Sequence, residues 1–242
     1  MMKKFLIAST ALLALVACGE KKAADTTSGT ASAVSAPAGT TWTETTSTST
    51  YGGMVMGNPA AAVKLVEYGA LTCSHCATFS EESGAELKAM VAKGTVSYEF
   101  RNFLLSPIDI PAALLARCAG PGPFFPISEQ LFAAQSDWLG KTKEITEAEQ
   151  TAWANYTPVQ LTGILATKLG LDTFVQQRGI SADKAKACLA DAKAIDALTK
   201  MSQVGQSEFK VQGTPTFVIN GLTAEATGDW ATLKPKLIAA GA

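Results

Sequence analysis

The stretch Leu71-Thr72-Cys73-Ser74-His75-Cys76-Ala77 follows an apolar run, Ala62-Val63-Lys64-Leu65-Val66-Glu67-Tyr68, and precedes a helical pattern that extends to about Lys93. A Cys-x-x-Cys pair therefore stands where a strand hands over to a helix. The first turn of a helix carries unpaired N–H groups and the positive end of the macrodipole. A thiolate is stabilised there, so Cys73 is expected to have a depressed pKa and to be nucleophilic near neutral pH. Cys76 lies one turn further on, faces the same side and can close a disulfide with it. His75, between them, adds a second positive influence when protonated. The same pair can also be half of a zinc site. That requires a second pair of ligands, and the sequence holds no second Cys-x-x-Cys. His75 is its single histidine, and Cys118 and Cys188 stand apart in helical contexts. Redox chemistry is the reading these residues favour, with no metal and no cofactor expected.

Upstream of the pair the chain changes character twice. Residues 1–18 open with Met-Met-Lys-Lys and continue as an apolar run from Phe5 to Ala17, ending at Cys18. A basic start and a short apolar core, below the roughly 20 residues of a membrane span, read as an export signal. Leu15-Val16-Ala17-Cys18 resembles a bacterial lipobox, which implies that Cys18 is lipidated and becomes the mature N-terminus. The plainer reading is a secretory signal with an incidental cysteine. Residues 19–50 are mostly Ala, Thr, Ser and Gly with no apolar period. Such a composition buries too little surface to offset the entropy of ordering, so a flexible tether is expected here. The folded part is expected to begin near Tyr51. The formal net charge of −1 gives no sign of nucleic-acid binding.

Downstream, Gly94 reads as the residue just past the helix end, and Val96 to Phe103 alternates apolar and polar as a strand with one buried face. Strand, helix and strand with so long a crossover imply a parallel, right-handed unit. From 106 to 208 helical patterns dominate: Pro111 to Ala119, Ile127 to Leu139, a piece near Ala148 to Asn155, Pro158 to Leu169, Asp172 to Arg178, and Ala182 to Phe209. Pro121-Gly122-Pro123, Gly140, Gly170 and Gly179 act as punctuation. The sheet pattern resumes at Val211-Gln212-Gly213-Thr214-Pro215-Thr216-Phe217-Val218-Ile219, with Asn220-Gly221 as a hairpin signal and a last helix from Trp230.

Cys73-Ser74-His75-Cys76 at a strand–helix junction, a helical insert, and Gly213-Thr214-Pro215-Thr216 before a terminal hairpin and helix together resemble the DsbA family of thioredoxin-fold oxidoreductases. The likeness covers about 51–242. It implies an α/β thioredoxin domain, 51–105 plus 209–242, interrupted by an all-helical insert, 106–208. It implies that Cys73 is the exposed nucleophile and Cys76 the more buried resolving thiol, with Ser74 and His75 tuning the first. Ser74 stands where the commonest family pattern has proline. Pro215 matches the family's cis-proline, which presents the Thr214 backbone to an extended substrate. Thr214 itself is more like the isomerase branch. Glu67, six residues before Cys73, matches a buried acid that handles a proton for the resolving cysteine; from the residues alone it lies either on a solvent face or buried with a purpose. Leu71, Phe79 and Phe124-Phe125-Pro126 line either a substrate surface or, more readily, the core. Cys118 and Cys188 form an even pair left over, which in an exported protein favours a structural disulfide over two reduced thiols.

The activity implied is that of a monomeric, lipid-anchored periplasmic dithiol oxidase. It would act on reduced substrate proteins and be reoxidised by a quinone-linked membrane protein. Thr214 favours an isomerase or reductase instead. A copper carrier using Cys73 and Cys76 is a third reading, which the missing second histidine and methionine cluster speak against.

Overall fold

The computed structural model describes Met2 and residues 34–242; the rest of the leader, Cys18 included, lies outside the described residues. In chain order the elements are β1 (Thr46–Thr48), β2 (Met54–Gly57), β3 (Val63–Gly69), α1 (Ser74–Ala92) and β4 (Val96–Asn102). Eight helices follow: α2 (Asp109–Arg117), α3 (Pro121–Ala133), α4 (Gln135–Gly140), α5 (Glu147–Ala152), α6 (Pro158–Lys168), α7 (Leu171–Gln176), α8 (Ala182–Leu189) and α9 (Ala192–Glu208). The chain then returns to the sheet as β5 (Thr216–Ile219) and β6 (Leu222–Thr223) and closes with α10 (Trp230–Ala239). Among the described residues no helix is long and apolar enough to cross a membrane.

The six strands form one mixed sheet in the order β1-β2-β4-β3-β5-β6. β3 and β4 are parallel, joined through α1, while β5 pairs with β3 antiparallel. Both faces of β3 are covered, which is why its sequence reads as a nearly unbroken apolar run. Val63 and Leu65 join the large core with Phe79, Leu87 and Val91 of α1 and with Phe124, Phe125 and Leu131 of α3. Val66 and Tyr68 pack on the other face with Phe103, Val211 and Val218. There α9 approaches so closely that a Cβ on Gly205 would stand 2.9 Å from the Tyr68 ring. The Asn220-Gly221 turn holds both residues at positive φ, 50° and 86°, as a two-residue hairpin of the right twist requires.

The ordered chain starts earlier than its composition suggested. Thr46–Thr48 pair with Met54–Met56, and Trp42 is buried, its Nε1 donating to Val34 O at 2.6 Å. Val34 N in turn donates to Lys93 O. One tryptophan in a pocket and a few backbone hydrogen bonds order a segment that shows no apolar period. Two helix boundaries also differ. Pro121 and Pro123 begin α3 instead of preceding it, since the first turn needs no N–H donor. The expected helix from Ala182 to Phe209 breaks at Asp191, whose side chain caps α9 by accepting from Ala194 N at 3.1 Å.

Within the helical segment the structure joins Cys118 at the end of α2 to Cys188 in α8, closing a loop of sequence separation 70. Replacing both cysteines with serine is expected to lower the unfolding free energy by roughly 2–5 kcal/mol, read by urea denaturation of the oxidised protein. An unchanged midpoint would show that the bond does not brace the helices.

Candidate active site

β3 ends at Gly69, a short loop carries Ala70 to Thr72, and Cys73 caps α1. The cap is a sulfur. Cys73 has extended backbone angles, and its Sγ accepts from the Cys76 N–H at 3.4 Å. Thr214, 141 residues away in sequence, brings its carbonyl to 3.1 Å from the same sulfur. The peptide bond between Thr214 and Pro215 is cis. Cys73 is 8% exposed and Cys76 fully buried, and both are free thiols. Ser74 and His75 lie exposed on the first turn of α1.

These surroundings separate the two thiols. Cys73 is held down to about 5, chiefly by a hydrogen bond from the Cys76 side chain, against the opposing effect of burial. Further contacts from Thr214 and from the Cys76 and His75 backbone act in the same downward direction. The first turn of α1 has no acidic residue to oppose a thiolate there. Cys76 is pushed far up, first by burial and then by its bond to Cys73 and the nearby Glu67.

Glu67 points into the core. It shares a sheet face with Val63 and Leu65 and stands beside Phe100 on β4 and Phe217 on β5. The carboxyl is 1% exposed, and its Oε2 accepts from the Tyr98 hydroxyl at 2.6 Å. Burial raises its pKa to about 8; Tyr98 pulls downward and the charge on Cys73 adds to the rise. Gly69 leaves the necessary space, since a Cβ there would fall 2.8 Å from Glu67 Oε1.

Two side chains from the helical segment hold the cysteine loop. Gln135 Nε2 donates to Leu71 O at 2.8 Å and to Cys73 O at 3.0 Å. Asp109 accepts from Thr72 N and Oγ1 through separate oxygens, and from the Leu105 and Ser106 N–H groups. Sequence reasoning missed both, together with Tyr98 and Gly69. An acid three residues after Ser106 at a helix start was a legible signal for Asp109; Gln135 carried none. Leu71, Phe79, Phe124 and Phe125 are core, while Pro126 is exposed. Cys118 and Cys188 take no part in the site. Among the described residues no group of three or more His, Cys, Asp or Glu side chains gathers as metal ligands.

Residues 49–238 match the family model described as Thioredoxin. The chain belongs to the thioredoxin family. A crystal structure of a protein-disulfide isomerase from Novosphingobium aromaticivorans is similar, with 34% identity and a TM-score of 0.73 over 76% of this chain and 95% of that one. Wolbachia pipientis alpha-DsbA1 shares the thioredoxin fold at 19% identity and a TM-score of 0.60, over 76% and 87% of the two chains. A Rickettsia bellii protein bearing the name "Putative protein-disulfide oxidoreductase" is 28% identical over 173 residues, 71% of this chain and 58% of its own length. The chain thus spans little more than half of the curated relatives it matches. In this thioredoxin domain the helices from α2 to α9 interrupt the fold between β4 and β5.

Glu67 holds a proton in the folded protein that an unfolded carboxyl releases near 4.5. The wild type therefore loses stability relative to a neutral side chain as pH rises from about 4.5 through about 8. Glu67→Gln is expected to raise the unfolding free energy at pH 7 by about 2–3 kcal/mol, with the gain vanishing near pH 4. Denaturation curves at the two pH values check this, and a pH-independent difference would contradict it.

Proposed function

We propose that this chain is an exported thiol:disulfide oxidoreductase that introduces disulfides into substrate proteins through Cys73 and Cys76. The asymmetry between the two thiols carries this reading. In the oxidised protein a substrate thiolate attacks Cys73 Sγ, and the bond to Cys76 breaks. Cys76 leaves as a thiolate in a site that strongly disfavours one, so it takes a proton, and Glu67 is the acid placed to give it. A second substrate thiolate then attacks the substrate sulfur of the mixed disulfide. Cys73 departs as the stabilised thiolate, the substrate disulfide is formed, and the protein is left reduced by two electrons.

The stabilised thiolate favours the reduced protein and makes its disulfide oxidising. At pH 7 a Cys73 pKa of about 5 contributes roughly 1–3 kcal/mol after allowance for solvent screening, or tens of millivolts. A specific observation favours a second reading, disulfide isomerase. Thr214 stands before the cis-proline, and the similar Novosphingobium protein bears that name. Equilibration with glutathione buffers separates the two. The oxidase reading expects a potential well above thioredoxin's, about −270 mV, towards about −120 mV. A value near −270 mV would overturn it, and an intermediate one would pass the decision to refolding of a scrambled substrate.

The apolar run ending at Cys18 supports export and lipid anchoring in the periplasm. A thioredoxin-fold oxidase there needs an electron acceptor, and a quinone-linked membrane protein is the partner we assign. Wild-type protein is expected in the membrane fraction and Cys18→Ser in the soluble one; wild type in the soluble fraction would remove the anchor.

A further inference from the structure

One face of α9 meets the turn between β1 and β2 and the end of α2 around a cavity of about 460 Å³. Ala197, Leu198 and Met201 of α9 and Tyr51 of the turn wall it. Its size falls within the range of small-molecule sites, roughly 300–1,000 Å³. It shares no lining residue with the cysteine loop or with the loop at Pro215. Arg117, the last residue of α2, borders it. Arg117 Nη1 donates to Asn102 Oδ1 at 3.0 Å, and Nη2 donates to the Gly52 carbonyl. Both acceptors are neutral. Among the described residues no carboxylate pairs with Arg117, whereas Arg101 is held by both oxygens of Glu99. A cation taken out of water is ordinarily paired with an acid. Burial pushes the Arg117 guanidinium down to about 10 and no acid pulls it back, yet it stays a cation at neutral pH.

We propose that this cavity binds a small monocarboxylate with an apolar body, its carboxylate paired with Arg117 and its apolar part laid against Leu198 and Met201. A guanidinium carries five N–H donors in a planar fork. Asn102 and Gly52 take two of them, which leaves the Nε–H and one hydrogen on each Nη for a ligand. Such a fork answers a carboxylate edge to edge. Lys200, exposed among the lining residues, adds a second positive charge, and none of the ten lining residues is acidic. Charge and shape therefore favour a single carboxylate; a phosphate would call for more donors than one arginine and one exposed lysine supply. The apolar wall is a helix face whose backbone groups are already bonded along α9, so a peptide finds no main-chain partner on it. Leu198 and Met201 are buried and suit an aliphatic or aromatic body. Such binding is independent of the disulfide-exchange reading of the cysteine pair.

Calorimetric titration of the full chain with octanoate at pH 7, together with NMR of its methionine methyl groups, tests this. Octanoate is expected to bind saturably and to shift the Met201 methyl signal; no saturation at millimolar concentration would overturn the site. Octanol keeps the apolar body without the charge, and it is expected to bind at least about tenfold more weakly, since a charge-assisted pair is lost. Equal affinity for the alcohol would remove the carboxylate from the assignment. Arg117→Gln is expected to weaken octanoate by a similar factor. That change also touches the contact with Gly52, so Ala197→Phe serves as the second variant: it fills the cavity and leaves Arg117 in place. Loss of octanoate binding in Ala197→Phe is expected, and undiminished binding there would put the ligand elsewhere and overturn the proposal. Two further probes fix the ligand class. Octyl phosphate binding more tightly than octanoate would replace the carboxylate by a phosphate, and a short peptide ending in leucine binding more tightly would replace the small molecule by a chain terminus; either result overturns the assignment.

Discussion

A helix N-terminus needs acceptors for its free N–H groups, and in α1 the acceptor is a sulfur. Serine, threonine or aspartate would fill that position more tightly. Sulfur is large, polarisable and weakly held, so the cap is also a leaving group. The contact from Cys73 Sγ to the Cys76 N–H ties the helix start to the reactive atom. Every other feature of the site serves this junction. Thr214 meets the sulfur from across the fold, and Gln135 and Asp109 fasten the loop that delivers it. The reactive thiol is therefore placed by the sheet, by the loop after α9 and by the helical segment at once.

The second organising cost is the acid beneath it. A carboxyl in an apolar core destabilises the fold when it must ionise. Here one oxygen is bonded to Tyr98 and the other faces Gly69, where a side chain would not fit. Phe79, Phe100 and Phe217 close around this pair, with ring centroids of Phe79 and Phe217 4.6 Å apart. The core of the domain is thus built around a group that an ordinary core would exclude, as expected where local rules yield to chemistry.

The strand–helix junction and the hairpin were legible in the sequence because both rest on local rules: apolar runs, a cysteine spacing, an Asn-Gly turn. Glu67 was legible as an anomaly, a charge inside a run of Val, Leu and Tyr, but its direction was not, because strand alternation alone leaves the buried face undecided when both faces are covered. Tyr98 read only as one more polar-edged residue in an alternating strand. Its meaning comes from the register that sets β4 beside β3, which is tertiary information. Gln135 was invisible for the same reason, since its partners are backbone carbonyls 62 and 64 residues away. The ordering of residues 34–50 escaped composition because it depends on one indole and a borrowed sheet edge.

That borrowed edge has a consequence of its own. A sheet ends in unsatisfied backbone groups, which invite any extended chain to pair with them. Here one border is β1, three residues of Thr and Ser beside the longer β2, and the other is β6, only two residues long. Neither offers a stretch on which a stray strand could zip up. A protein that meets unfolded chains, as proposed above, would otherwise risk being recruited into their aggregates. With both borders shortened, such a protein would offer an incoming polypeptide the cysteine loop and the Thr214 carbonyl instead of a template for growth.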